Sequence, residues 1–220
     1  MVEAYAFARR HPDLLAGWVF DHIVISLVAV VIGAVGGCLI GVFITGKGRE
    51  RLADAVLYGA EILMTVPSLA LFGLSMLLLS HLGLNAIGFL PAVITLVVYS
   101  QLPILRNTYT AIREVDPAMM EAGTALGMSQ RQLLFKVKLP LALPVILAGL
   151  RNSIVLTIGI ATIAALIGAG GLGVPIFRGL RNARMDLVIV GGFFVSVLAL
   201  LADGFMAALE RWITPRGLRG

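Results

Sequence analysis

Charge is scarce in this sequence. Asp, Glu, Lys and Arg together make up 13% of the 220 residues, about half the share found in soluble domains. A water-soluble globule of this size must cover its surface with polar side chains, and this chain has too few. A single cysteine, Cys38, excludes an internal disulfide framework. That cysteine and three dispersed histidines argue against a zinc site. What the chain does have is apolar: AVILMFWYC account for 59%, with 25 glycines besides, and the mean hydropathy is +0.99. The same composition excludes disorder. It describes a polytopic integral membrane protein. The net charge of +5 is too thinly spread for a nucleic-acid reading; in a membrane protein, Lys and Arg mark the cytoplasmic side.

The length of charge-free runs gives the crossings, because a helix needs about 20 apolar residues to span hydrocarbon. Residues 23–46 form one such run, and residues 62–105 a second that is too long for one crossing. The second is interrupted near Ser80-His81-Leu82-Gly83-Leu84-Asn85, a turn signal. The expected fold is all-α, with five spans near 22–45, 55–79, 87–106, 145–166 and 187–209. Residues 3–20 mix charge with apolar side chains and do not read as a cleaved signal; an interfacial helix with Trp18 and Phe20 near the headgroups is expected there.

Charge placement then orients the bundle. Twelve of the 17 Lys and Arg residues fall on one side of it: Lys47, Arg49, Arg51, Arg106, Arg113, Arg131, Lys136, Lys138, Arg151, Arg211, Arg216 and Arg219. The other five are Arg9, Arg10, Arg178, Arg181 and Arg184. The asymmetry places the N-terminus outside and the C-terminus in the cytoplasm.

Small residues recur at steps of four on two spans. Ala29, Gly33, Gly37 and Gly41 share one face of the first, and Gly149, Ser153, Thr157, Ala161 and Ala165 one face of the fourth. In lipid, such ridges are candidate packing faces, within one chain or between two. Pro67 and Pro103 should each break a backbone bond and bend a span. Glu61, Arg151 and Asp203 lie inside spans near the cytoplasmic side. They read as snorkelling residues, as a pair between Arg151 and one of the acids, or as groups on a solute path.

The longest cytoplasmic stretch is organised, not random. Asp116-Pro117 is a helix start, and Gly127 interrupts that helix. Ser129 to Gln132 fits a capping box that begins a second short helix. Leu134 and Phe135 are expected on its surface beside Arg131, Lys136 and Lys138, and Leu139-Pro140 with Pro144 to break it. An exposed apolar-and-basic element of this kind suits docking.

Glu121-Ala122-Gly123, then Gly127, then Leu139-Pro140 resembles the cytoplasmic signature of the membrane subunits of binding-protein-dependent ABC importers, with Gly123 where the family pattern has alanine. Glu61 to Leu71, Leu102 to Tyr109 and Ile167-Gly168-Ala169-Gly170-Gly171-Leu172-Gly173 are similar to the glycine betaine, carnitine and choline permeases of that family. Methionine and other amino-acid importer permeases are the nearest rivals. The resemblance implies a type I importer permease fold, a single transmembrane domain over 1–220 and a cytoplasmic coupling segment over 113–140. Gly127 would allow a bend. Residues 128–137, including Met128, Arg131, Leu134 and Phe135, would dock in a cleft of a cytoplasmic ATPase, supported by Glu121.

The resemblance also implies partners: ATPase subunits that use ATP and Mg, a second permease copy or a related permease, an extracytoplasmic solute-binding protein and the lipid of a bacterial or archaeal cytoplasmic membrane. This chain itself would carry no catalytic residue and no cofactor. Gly168, Gly170, Gly171 and Gly173 lack the Lys-Ser/Thr of a phosphate loop and are expected in a tight external turn. An ATP-independent carrier is the competing class, but no internal repeat of the kind carriers show is present; a membrane scaffold is another. No aromatic cage for a quaternary ammonium solute is evident, so the solute-lining residues stay unassigned and the substrate rests on the resemblance.

Overall fold

The computed structural model describes residues 2–213, which are helical almost throughout. A short α1 (Val2–Arg10) precedes α2 (Pro12–Ile44), α3 (Glu50–Thr65), α4 (Ser68–His81) and α5 (Phe89–Arg113). The second half holds α6 (Pro117–Ala125), α7 (Gln130–Leu133), a π-helical turn (Leu134–Lys138), α8 (Leu139–Ala161), a 3₁₀ turn (Ile163–Ile167), α9 (Gly173–Arg181) and α10 (Met185–Ile213). Among the described residues, four helices are long and apolar enough to cross a membrane: α2, α5, the run Gln130–Ala161 and α10. The pair α3 and α4 makes a fifth crossing when counted as one bent span.

α5 is the hub. The small-residue ridge of α2 closes on one side of it: a Cβ at Gly33 would collide with Ser100, one at Gly37 would stand 2.7 Å from Ile104 Cγ2, and one at Gly41 2.7 Å from Thr108. On another side, a Cβ at Gly149 of α8 would stand 2.6 Å from Asn107 Cβ. Ser153, Thr157 and Ala161 of α8 are fully buried, and Ser153 Oγ donates to the Ser100 carbonyl at 3.2 Å. Both ridges therefore serve contacts within one chain. Lipid gives helices little hydrophobic reason to associate, so backbone approach through small residues is what joins them.

The segment 55–79, expected as one crossing, is instead two helices meeting at 105°. Pro67 forces its predecessor into extended backbone: Val66 has ψ 127, and α3 stops there. The break frees the Val66 carbonyl, and Tyr99 Oη donates to it. Further contacts with α5 run in antiparallel order along both arms. Glu50 meets Arg113 at 3.6 Å, Glu61 meets Arg106, Thr95 Oγ1 donates to Leu71 O at 3.4 Å, and Ser75 Oγ donates to Pro91 O at 3.2 Å. The two arms thus track α5 from one end to the other. Pro103, expected to break one backbone bond and bend its span, lies inside a continuous α5.

Three further expectations need correction. Residues 3–20 do not form one short helix: α1 ends at Arg10, and residues 12–20 are the first turns of the 33-residue α2, where Trp18 is buried and Phe20 is exposed. Leu139-Pro140 and Pro144 do not break the chain, because residues 130–161 run as one helix. Pro140 has no N–H, and in an α-helix its ring would crowd the carbonyl four residues back. The π turn widens the ladder just before it, with the Leu139 N–H bonded to Leu134 O. Finally, Arg151, expected near the cytoplasmic end of a span starting at about 145, is set deeper in its helix. It lies in the second half of that continuous helix and makes a two-point ion pair with Asp203 of α10, its Nη2 2.6 Å from Oδ2. Arg216 and Arg219 lie outside the described residues.

Candidate functional site

The segment between α5 and α8 folds as its local chemistry dictates. Asp116 caps α6, accepting from the Ala118 N–H at 2.9 Å. At the other end the Gly127 N–H bonds Thr124 O at 2.9 Å and the Met128 N–H bonds Gly123 O at 3.1 Å, the paired bonds of a Schellman cap. That cap needs a left-handed residue, and Gly127 has φ +76. Ser129 then closes a two-way capping box with Gln132: Ser129 N–H to Gln132 Oε1 at 2.8 Å and Gln132 N–H to Ser129 Oγ at 3.3 Å.

The turn folds α6 back over α7, and the contact is made by a residue that sequence reasoning missed. Leu133 is buried, and a Cβ at Gly123 would stand 2.5 Å from its Cδ2 and 3.2 Å from Met128 Sδ. Gly123, at the family's alanine position, is where Leu133 and Met128 sit. The signal available was the apolar residue directly after the capping box.

Two expectations about this segment change. The helix after the glycine is not a separate short helix over 128–137, because residues 130 onward are the first turns of the long α8 run. The separate short helix is α6, before the glycine. Nor is Leu134 fully exposed: half-buried, it packs with Leu139 against Ala111, Ile112, Ala142 and Ile146, beside Cys38 and Val42. Phe135, Leu126 and Met119 are the large apolar side chains exposed on this segment, at 65%, 83% and 48%. Glu121, Ala122, Arg131 and Pro140 are exposed. The Glu121 side chain forms no hydrogen bond or ion pair among the described residues. The segment therefore presents an exposed helix and loop on a base anchored to the ends of α2, α5 and α8.

At the opposite end of the bundle, the glycine-rich turn is a second organised element. Gly168, Gly170 and Gly171 have φ +79, +81 and +82. Gly170 lies against Asp21 and Gly171 against His22, leaving no room for a Cβ. His22, fully buried, holds this junction. Its Nδ1 accepts the Leu172 N–H at 3.2 Å. Nε2 therefore carries the proton and donates to Ile158 O at 3.0 Å. Sequence reading passed over His22, although a lone histidine in an apolar span is a signal that its ring must be bonded. Among the described residues, no group of three His, Cys, Asp or Glu side chains could hold a metal.

Residues 37–215 match the family described as binding-protein-dependent transport system inner membrane component. The chain belongs to this family. The family member is 41% identical, over 93% of its length and 94% of the relative's, to the osmoprotectant import permease protein OsmW of Salmonella typhimurium. It is 41% identical to the glycine betaine/carnitine/choline transport system permease protein OpuCB of Bacillus subtilis, over 91% of this chain and 88% of that one. It is 42% identical to the carnitine transport permease protein OpuCD of Listeria monocytogenes, over 88% and 84%. Its fold matches the inward-facing MetNI methionine ABC transporter with a TM-score of 0.82 at 22% identity, over 94% of this chain and 99% of that one. An amino acid ABC transporter crystallised with histidines gives 0.78 at 21%, over 94% and 97%. The family member is thus a multi-pass transport permease with the fold of type I importer membrane subunits.

Proposed function

We propose that this permease forms the translocation path of an ATP-driven importer for a small compatible solute such as glycine betaine, choline or carnitine. The observation that carries the reading is the match over about nine-tenths of the chain to three osmoprotectant or carnitine permeases at 41–42% identity. The methionine-type reading is weaker, since its solved relatives are 21–22% identical and speak to the fold. The charge asymmetry supports an N-terminus outside and a C-terminus inside a bacterial or archaeal cytoplasmic membrane.

In this reading the segment 113–140 faces the cytosol, and a separate ATPase, using ATP and Mg, grips it. α6, with Met119 and Leu126 exposed, is the docking helix, and Phe135 adds to the same surface. Glu121, Ala122 and Gly123 lie on that helix, Gly127 and Met128 form its cap, and Arg131 follows. Leu133, Leu134 and Leu139 tie it to the bundle, and Pro140 opens α8, the long helix that follows. When the ATPase closes, it moves α6, and the rigid run from α7 into α8 conveys the displacement to α2 and α5. A second permease, identical or related, completes the path, and a solute-binding protein delivers from outside. The conformational change requires two packings of one bundle.

The test uses the reconstituted transporter. A valine at Gly127 must adopt a left-handed φ that costs roughly 1–2 kcal/mol. Gly127→Val should lower betaine uptake per ATP hydrolysed, while Gly127→Asn, which tolerates that φ, should spare it. Unchanged coupling in the valine variant refutes the docking assignment. Labelling of Ser129→Cys by an impermeant reagent from outside intact cells refutes the sidedness. Uptake of methionine in place of betaine refutes the substrate class.

A further inference from the structure

Beside the coupling segment lies a cavity of about 550 Å³ between the end of α2, the loop into α3 and the start of the α7–α8 run. Its lining is of two kinds. One wall is apolar, with Phe43 and Leu134; the rest carries Lys47, Arg49, Arg131 and Lys138. No carboxylate lines it. Among the described residues, none of these four cations has an acidic partner. Arg49 and Lys138 are half-buried, where a cation without a counter-charge is costly. Arg49 is already directed by its neighbours: Nη1 donates to Phe43 O at 2.7 Å and the guanidinium lies 3.8 Å from the Phe43 ring centroid. The apolar wall continues along α2, where Leu39, Ile40 and Phe43 are exposed at 67%, 42% and 54%. On a membrane-crossing helix such a strip suits contact with acyl chains. An apolar track that ends in an uncompensated cationic cavity suits an amphiphile with an anionic head.

We propose that this cavity binds an anionic phospholipid of the cytoplasmic leaflet. Its phosphate lies among Lys47, Arg131 and Lys138, and the first acyl segments lie along Phe43. Clustered basic residues at the cytoplasmic interface attract anionic headgroups in this way. The leaflet rests on the sidedness proposed above; the site itself does not. Because Leu134, Arg131 and Lys138 belong to the run that leaves the coupling segment, the bound lipid would brace the base on which α6 moves.

The test measures lipid retained by the purified full-length chain after exchange into detergent containing phosphatidylglycerol or phosphatidylcholine. Wild type should retain phosphatidylglycerol selectively. Removing each cation should weaken retention roughly five-fold, so Lys47→Gln with Lys138→Gln should lose about 25-fold, while Lys47→Arg with Lys138→Arg should retain it. Equal retention of both lipids, or by the glutamine variant, overturns the proposal. So does displacement of bound phosphatidylglycerol by sn-glycerol 3-phosphate at concentrations where free phosphatidylglycerol displaces it, which would make this a free-phosphate site. Loss of the ATPase from the glutamine variant with lipid retention intact would make it a protein-docking surface instead. Retention is read on the permease alone, so a failure of ATPase docking or of the sidedness assay leaves this measurement standing.

Discussion

Leu133 fills the space that a side chain at Gly123 would occupy, its Cδ2 2.5 Å from where a Cβ would stand. The contact fastens the docking helix to the first turn of the long α7–α8 run, so substitutions at Gly123 should grade with size. The colliding atom is the far end of a leucine, which can rotate away. Gly123→Ala should therefore cost at most about 1 kcal/mol and preserve transport. Gly123→Ile, with a branched Cβ, should displace Leu133 and Met128 and disrupt coupling while leaving the membrane bundle folded. Uptake and ATPase rates in proteoliposomes, with thermal unfolding as the control, check this. Equal behaviour of the two variants would show that the Leu133 contact is not what positions α6.

The seam between α2 and α5 offers a test with its own control one residue away. A Cβ at Gly37 would stand 2.7 Å from Ile104 Cγ2 and 3.0 Å from Ile104 Cβ. Ile104 is buried and cannot move aside. At Gly36 nothing lies within 4 Å. Gly37→Ala should destabilise by about 1–3 kcal/mol through overpacking, and Gly36→Ala should be neutral or stabilise by up to about 1 kcal/mol through helix propensity. Thermal unfolding of the two variants in one detergent measures both, and the predicted outcome is opposite signs.

Much of this architecture is legible in the residues, and the parts that are not share a physical cause. Asp116-Pro117, Gly127 and the Ser129–Gln132 box are local signals, decided by hydrogen bonds within a few residues, and each has the geometry its chemistry requires. The ridges on α2 and α8 follow from helical periodicity, but that both close on α5 is a tertiary fact. Pro67, Pro103 and Pro140 read alike in sequence and end differently. Tyr99 satisfies the carbonyl exposed by a full break at Pro67. Pro103 sits inside a continuous helix. A π turn absorbs Pro140. What decides each case is a partner far away in the chain or a change of helix type, neither of which proline itself encodes. Leu134 was misplaced and Leu133 missed for the same reason, since the face of a helix that looks inward depends on where the helix begins. The substrate has no local signature at all.

Arg151 and Asp203 tie α8 to α10 through two parallel contacts. A planar guanidinium matched to a carboxylate is directional, and in or near lipid a charge left without its partner is worse placed than an apolar side chain. Arg151→Met alone or Asp203→Leu alone should therefore unfold at a lower temperature than Arg151→Met with Asp203→Leu together. A pair that merely decorates the surface would give two small, additive effects. Differential scanning of the four proteins separates the cases.

His22 should be essential for how it bonds rather than for its bulk. Leu172, whose N–H bonds His22 Nδ1 at 3.2 Å, is fully buried. Removing that acceptor strands a buried donor at a cost of about 1–3 kcal/mol. Asparagine can place its amide oxygen where Nδ1 stands, and glutamine its amide nitrogen where Nε2 donates to Ile158 O. If the bond to the glycine-rich turn is what holds the junction, stability should fall in the order His22, His22→Asn, His22→Gln, His22→Leu. Gly171 packs against the same ring, so the leucine variant should also loosen residues 168–173 and raise their amide exchange, while α6 at the far end of the bundle keeps its own rate. A series in which glutamine outranks asparagine would move the anchor to α8. Faster exchange at both ends would instead mean that His22 supports the whole bundle rather than this turn.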